Sequence, residues 1–119
     1  MDLREEILGI QDCGEKTIKI PQWKNKKVLV KAFSAGARYD MISQCTTITD
    51  GEAEVSGKKL LILTVIEAAH DPATGAKLFT IADYETIMAK SYGAIELIAR
   101  TANELSGIGA DAVEDAEKN

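Results

Sequence analysis

Two short segments near the N-terminus have residue patterns typical of β-strands. Residues 16–20 alternate between polar and apolar side chains, which is the period of a half-buried strand. Residues 27–33 place apolar side chains at 28, 30 and 32 on one face of an extended strand. Pro21 ends the first segment, and Asn25 in the connection tolerates the left-handed backbone that a short loop needs. These patterns predict a β-hairpin. A short helix before it, within the first ten residues, is predicted by a capping aspartate at Asp2.

Helical signals fill most of the chain after this hairpin. Ser34, Thr80 and Ser91 each precede a helical pattern and can accept a backbone N–H bond as N-cap residues. The apolar run between residues 58 and 70 has the composition of a buried strand, but its length of about 13 residues favours a helix at the centre of the core. The patterns predict four helices, over residues 34–44, 58–70, 80–89 and 91–105.

Between these helices, two segments are predicted to be irregular. Residues 46–57 are polar, contain two glycines and lack a helical period, so we expect a loop. Residues 71–75 have the composition of a turn. The predicted fold class is α+β, a small N-terminal β-hairpin followed by a bundle of about four helices. A chain of 119 residues suffices for one domain, which we place at residues 1–109 with an acidic tail at 110–119.

Charge is distributed unevenly along the chain. The net charge is −5, yet residues 16–31 hold six lysines and no acid, which leaves 8 basic and 19 acidic residues, a net of −11, elsewhere. The lysines either protect the edges of the hairpin or form a contact surface for an acidic partner or nucleic acid. Trp23 in the connection either covers the hairpin or contacts a partner. The candidate partner-binding residues are therefore Trp23, Lys24 and Lys27.

Catalytic and metal-binding patterns are weak. Glu67 and His70 have the i, i+3 spacing of metal ligands on a helix, but this is the single histidine, and interaction of His70 with the helix dipole is the simpler interpretation. Cys13 and Cys45 are predicted to be two buried free thiols in a reducing cytoplasm. We predict no catalytic residue, no cofactor, no metal and no membrane span.

The segments that carry a family resemblance are spread over nearly the whole chain. They are Leu3-Arg4-Glu5-Glu6-Ile7-Leu8, Ile20-Pro21-Gln22-Trp23, Asp71-Pro72-Ala73-Thr74-Gly75, Lys90-Ser91-Tyr92-Gly93-Ala94-Ile95 and Asn103-Glu104-Leu105-Ser106-Gly107-Ile108. In this order and spacing they resemble the tail assembly chaperones of long-tailed bacteriophages and of Bacillus-type defective prophages. Two helix caps depart from the family's pattern, at the residues after Ser34 and at Gly109.

The resemblance implies a non-enzymatic protein of the bacterial host cytoplasm that binds the tape-measure protein and helps to recruit tail-tube subunits. It also implies a longer form, made by ribosomal frameshifting, whose extra segment contacts the tail-tube protein. We predict self-association, because many copies must coat a long client and because an apolar stripe from Ile95 to Leu105 has few other faces to bury against. The alternative function is a small nucleic-acid-associated regulator that uses the Lys-rich hairpin of residues 16–31.

Overall fold

Two antiparallel sheets and five α-helices form the part of the chain that the computed structural model describes, residues 2–108. In chain order they are α1 (Leu3–Leu8), β1 (Glu15–Ile20), β2 (Lys26–Lys31), α2 (Ala35–Cys45), β3 (Thr46–Thr49), β4 (Glu52–Val55), α3 (Gly57–Ala68), β5 (Ala69–His70), α4 (Tyr84–Met88) and α5 (Tyr92–Leu105). The predicted α+β class, a hairpin followed by helices, is confirmed. The predicted acidic tail at residues 110–119 lies outside the described residues.

The first sheet has the strand order β1-β2-β5, with all neighbours antiparallel. Ile18 lies opposite Val28 in β1 and β2, and alternation along both strands turns this face toward the core, where Ile20, Val28 and Val30 are buried. The predicted hairpin is therefore confirmed. Its connection is a 3-10 turn over Pro21–Trp23.

The core lies between this sheet and the helices α3 and α5, which pack on each other. The most apolar segment of the chain forms the middle of α3, where five consecutive residues from Ile62 to Ile66 are buried. Thr64 is tolerated there because its hydroxyl donates to the carbonyl of Leu60 at 2.7 Å. The predicted central helix is confirmed.

The apolar stripe of α5 is also part of this core. Ile95, Ile98, Ala99 and Ala102 are all buried within the chain. The stripe is thus not available to a second copy, so the predicted route to self-association is wrong. The mistake has a simple cause, since α3 and the first sheet together supply the partner surface that the stripe needs.

The predicted loop at residues 46–57 is wrong, because β3 and β4 pair there as a second hairpin. Asp50 and Gly51 have φ values of 52° and 80°, the two left-handed positions of a two-residue hairpin turn. Asp-Gly is a strong sequence signal for that turn. The strands were missed because they are short and polar.

The end of the central helix also differs from the prediction. Helix α3 stops at Ala68, and His70 lies in β5, paired with Leu29 of β2. His70 is 9% exposed, and its Nδ1 lies 2.7 Å from the carbonyl oxygen of Ala68. Glu67 and His70 therefore do not share a helix face. The ring of His70 still contacts the last carbonyl of α3, which agrees with its predicted position at the C-terminal end of the helix dipole.

Caps and turns fix the remaining boundaries. The side chains of Asp2 and Ser34 accept the backbone N–H groups of Glu5 and Ala37, as predicted. The third predicted helix begins with a 3-10 turn over Ile81–Asp83, which α4 follows. The carboxylate of Asp83 accepts a hydrogen bond from the N–H of Thr80 at 2.9 Å, as in a capping box. Helix α4 lies beside the connection between β1 and β2.

Candidate partner-binding groove

The connection between β1 and β2 holds Trp23 at the surface. Pro21 begins the 3-10 turn, and Lys24 and Asn25 both take left-handed φ values, 57° and 58°. The N–H of Asn25 closes the connection by donating to the carbonyl of Ile20 at 3.0 Å. The indole of Trp23 is half-buried because it packs on the core from this turn. The predicted left-handed Asn25 is confirmed.

A segment after β5 supplies the second aromatic ring. Lys77 forms a β-bridge with His70, and the N–H of Leu78 donates to the carbonyl of Ala69 at 3.1 Å. These backbone contacts hold the segment beside the sheet and bring Phe79 to Trp23. The two ring centroids lie 6.4 Å apart at an interplanar angle of 79°, an edge-to-face pair.

An open groove of about 570 Å³ lies between the connection, the segment after β5 and helix α4. Its lining is Gln22, Trp23, Lys24, Leu78, Phe79, Asp83, Thr86, Ile87 and Lys90. Ile87 is buried at 3% exposure, whereas Leu78 is 40% exposed. A groove with apolar side chains and a few polar groups at its edge is typical of a binding site.

The charges at the groove are two lysines and one carboxylate. Asp83 accepts a hydrogen bond from the N–H of Thr80 and keeps its negative charge. Lys24 and Lys90 are exposed, and neither forms an ion pair with another residue in the range 2–108. The lining therefore has a net charge of +1, which suits a partner that combines apolar side chains with acidic ones.

The structure brings two of the three predicted partner-binding residues together. Trp23 and Lys24 line the groove, whereas Lys27 lies on β2, on the face of the sheet opposite the core. Sequence reasoning missed Leu78, Phe79 and Lys90 as lining residues. The one sequence signal for this part of the groove is the pair of adjacent apolar residues Leu78 and Phe79 before a helix cap. No pattern near Lys90 indicates that it lines the groove.

The lysine-rich hairpin forms a separate surface. Lys19 and Lys27 lie directly opposite each other on adjacent strands, on the face away from the core. Like charges in that position destabilise a sheet. Lys31 lies opposite Glu15, so one lysine of this face has an acidic neighbour. Trp23 packs on Phe79 instead of standing free beside these lysines, so this face lacks an aromatic base-stacking surface.

The other candidate metal-binding and reactive residues do not form a site in the described part of the chain. Glu67 forms an ion pair with Lys77, whose Nζ lies 3.0 Å from Oε2 of Glu67. Within residues 2–108 no three histidine, cysteine or acidic side chains are grouped to hold a metal ion. The prediction of two buried thiols is half wrong, since Cys45 is buried and Cys13 is exposed. None of the helices in the described range is long and apolar enough to span a membrane.

Comparison with known proteins gives one structural likeness. No family model matches the sequence, and no curated protein matches it. The tail assembly chaperone of bacteriophage HK97 has a similar structure, with a TM-score of 0.54 and 16% sequence identity over 87% of this chain and 98% of that one. At this identity the likeness concerns the fold. The chain therefore has a fold like that of a phage tail assembly chaperone.

Proposed function

We propose that this chain is a phage tail assembly chaperone, a non-enzymatic protein that binds a tape-measure protein in the bacterial cytoplasm. The observation that carries the proposal is the fold, which is similar to that of the HK97 tail assembly chaperone over nearly the full length of both chains. The order of the sequence segments that resemble this family supports it independently, since that resemblance does not depend on backbone coordinates.

The client site in this proposal is the groove beside Trp23. A tape-measure protein is long and helical by the family resemblance, and an amphipathic helix binds such a groove by inserting one apolar face. Trp23, Phe79 and Ile87 supply the apolar contact, while Lys24 and Lys90 attract acidic residues beside the helix's apolar face. The groove is open to solvent, so a client helix can reach it from the surface.

The test is co-expression with the tape-measure protein encoded by the same phage or prophage, followed by affinity capture and a binding titration. We expect the wild-type chain to keep the tape-measure protein in solution and to be captured with it. Lys24→Glu and Lys90→Glu should each weaken binding about tenfold, because the groove then repels the acidic residues. Arg4→Glu makes the same charge change on the exposed helix α1 and should bind as wild type does.

The two parts of the proposal fail in different ways. Failure of the wild-type chain to bind or solubilise the tape-measure protein would overturn the chaperone function. Binding that is equal in wild type, Lys24→Glu and Lys90→Glu would leave the function in place and remove the groove as its site. A Thr86→Tyr variant checks this second outcome, because it fills the groove from α4 without changing a charge.

Recruitment of tail-tube subunits by a longer, frameshifted form belongs to the same proposal. Glu117, Lys118 and Asn119, which lie outside the described range, can be encoded so that seven bases read A-AAA-AAC, a slippery run for the ribosome. We expect the coding DNA to contain this run and an overlapping reading frame. DNA with neither would remove the longer form from the proposal and leave tape-measure binding to be judged by the titration.

A further inference from the structure

A second cavity lies next to the groove beside Trp23. It has a volume of about 320 Å³ and lies between helices α2 and α3 and the segment that follows β5. Met41 of α2 and Leu63 and Ile66 of α3 line it, and all three are buried residues of the core. We call it the Met41 cavity. Its size is at the lower end of the range of ~300–1,000 Å³ that is typical of ligand pockets, so it can accept a large apolar side chain.

The Met41 cavity and the groove adjoin at Phe79, which lines both of them. The apolar residues on either side of Phe79 are open to solvent, since Leu78 in the groove is 40% exposed and Ile81 in the Met41 cavity is 62% exposed. Apolar side chains that are exposed together around a cavity mark a place where another molecule binds. The two cavities therefore belong to one apolar surface.

Local backbone contacts hold this surface in place. Lys77, two residues before Phe79, forms a β-bridge with His70. After Phe79, the carboxylate of Asp83 accepts the N–H of Thr80 at 2.9 Å, and the N–H of Asp83 donates to the carbonyl of Thr80 at 3.0 Å. A surface that is formed before its partner arrives loses less conformational entropy on binding.

The two cavities differ in charge. The lining of the groove has a net charge of +1, from two lysines and one carboxylate. The lining of the Met41 cavity holds Glu67 and Lys77, whose side chains form an ion pair at 3.0 Å, so this lining has no net charge. A partner that fills both cavities is therefore complementary when it is acidic at one end and uncharged at the other.

We propose that one amphipathic helix of the client occupies both cavities, with one large apolar residue in the groove beside Trp23 and a second in the Met41 cavity. This inference rests on the proposed function, because the helix belongs to the tape-measure protein. The apolar stripe of the helix crosses Phe79, and its acidic residues lie at the end where Lys24 and Lys90 are found. Two anchors select client stretches that combine a continuous apolar stripe with acids at one end.

Photocrosslinking in the full chain tests whether one helix spans both cavities. A photoreactive residue, p-benzoylphenylalanine, replaces either Gln22 at the groove or Gln44 at the Met41 cavity, both of which are exposed. Gln11 is the matched control position, because it is also exposed and lines neither cavity. Each variant is co-expressed with the tape-measure protein encoded by the same phage or prophage and irradiated, and mass spectrometry locates the crosslinked client residues.

Both cavity positions should crosslink to the tape-measure protein, whereas the Gln11 position should not. Each client stretch that is crosslinked from the Gln22 position should also be crosslinked from the Gln44 position within about three helical turns, or about 11 residues, because one helix lies across both cavities. The acidic residues of that stretch should lie on the side crosslinked from Gln22.

An affinity measurement tests the second anchor independently. Ile81→Gln removes an apolar contact of the Met41 cavity without a change of charge and should weaken binding of the tape-measure protein about tenfold. Ile10→Gln is the matched control, because Ile10 is 60% exposed and lines neither cavity, and it should bind as wild type does. Circular dichroism of each variant verifies that it is folded.

The inference and the proposed function fail in different ways. Client crosslinks from the Gln22 position alone, with the Gln44 position joined to a second copy of this chain or to nothing, would overturn the second anchor and leave the function in place. The same holds for crosslinks from the two positions that share no client stretch, and for equal binding by wild type and folded Ile81→Gln. A wild-type chain that captures no tape-measure protein would overturn the function and the inference together.

Discussion

Buried side chains of α3 contribute to the free energy of unfolding, and Leu63 is a suitable position at which to measure that contribution. It is 6% exposed and belongs to the core cluster between α2, α3 and α5. Leu63→Ala should lower the free energy of unfolding by about 2–5 kcal/mol, through lost burial and the cavity left behind. Denaturant melts give this value. The control is Leu8→Ala, at a residue 69% exposed, which should change it by less than about 0.5 kcal/mol.

A loss below about 1 kcal/mol for Leu63→Ala would contradict the core position of this helix.

The two cysteines differ in reactivity for reasons that the structure makes explicit. Cys13 is exposed, whereas burial raises the pKa of the Cys45 thiol, an effect that the nearby charges of Lys59 and Arg38 partly offset. Since the thiolate is the reactive form, a thiol reagent should modify Cys13 rapidly in the folded protein and Cys45 only after unfolding.

Mass spectrometry of the modified chain locates each thiol that has reacted. Cys13→Ser should abolish the fast reaction and leave the slow one. Fast modification at both positions under native conditions would show that α2 opens readily at its C-terminal end.

The C-terminal end of α5 is a feature of the fold that local sequence specifies. After Ser106 the chain turns at Gly107, where φ is 77°. The N–H of Ile108 donates to the carbonyl of Asn103 at 2.7 Å and that of Gly107 to Glu104 at 3.1 Å, which is a Schellman motif. Local residue chemistry sets this stop, so it could be predicted without knowledge of the tertiary structure.

Two glycine substitutions test this explanation, because they should change the stability of the protein in opposite directions. Gly107→Ala should destabilise the protein by about 1–2 kcal/mol, because a Cβ is strained in the left-handed region although no atom lies within 4 Å of it. Gly36→Ala, in open space inside α2, should instead stabilise by up to about 1 kcal/mol. Thermal melts of both variants give the comparison. Stabilisation by Gly107→Ala would mean that the positive φ does not govern the helix end.

Elements that depend on distant contacts could not be predicted in the same way. The hydrophobic run of α3 indicated a buried helix, but it gave no sign that Ala69 would leave the helix to pair with β2. The groove joins Trp23 to Lys90, residues far apart in sequence, so only the fold reveals it. The β3–β4 hairpin is different, since Asp50–Gly51 is a local sequence signal for its turn and could have been predicted.

At the scale of the whole molecule, the uneven distribution of charge favours binding of an acidic protein over binding of a nucleic acid. The lysines of the first hairpin lie on a chain of net charge −5, so a nucleic acid that reaches them also meets repulsion from the acidic remainder. A protein surface with a few acids can occupy the lysine face locally without approaching that remainder. The charge distribution therefore favours a compact acidic partner over a long polyanion.

The alternative function as a nucleic-acid regulator can be decided by a salt titration. We expect no saturable binding of labelled single-stranded or duplex DNA or RNA at about 150 mM salt, and only weak binding at low salt. Fluorescence anisotropy measures it, with Lys19→Glu/Lys27→Glu as the matched variant. Saturable binding that falls steeply with salt and is lost in that variant would establish the alternative. Equal weak binding in both proteins would instead show that the opposed lysines contribute nothing to nucleic-acid binding.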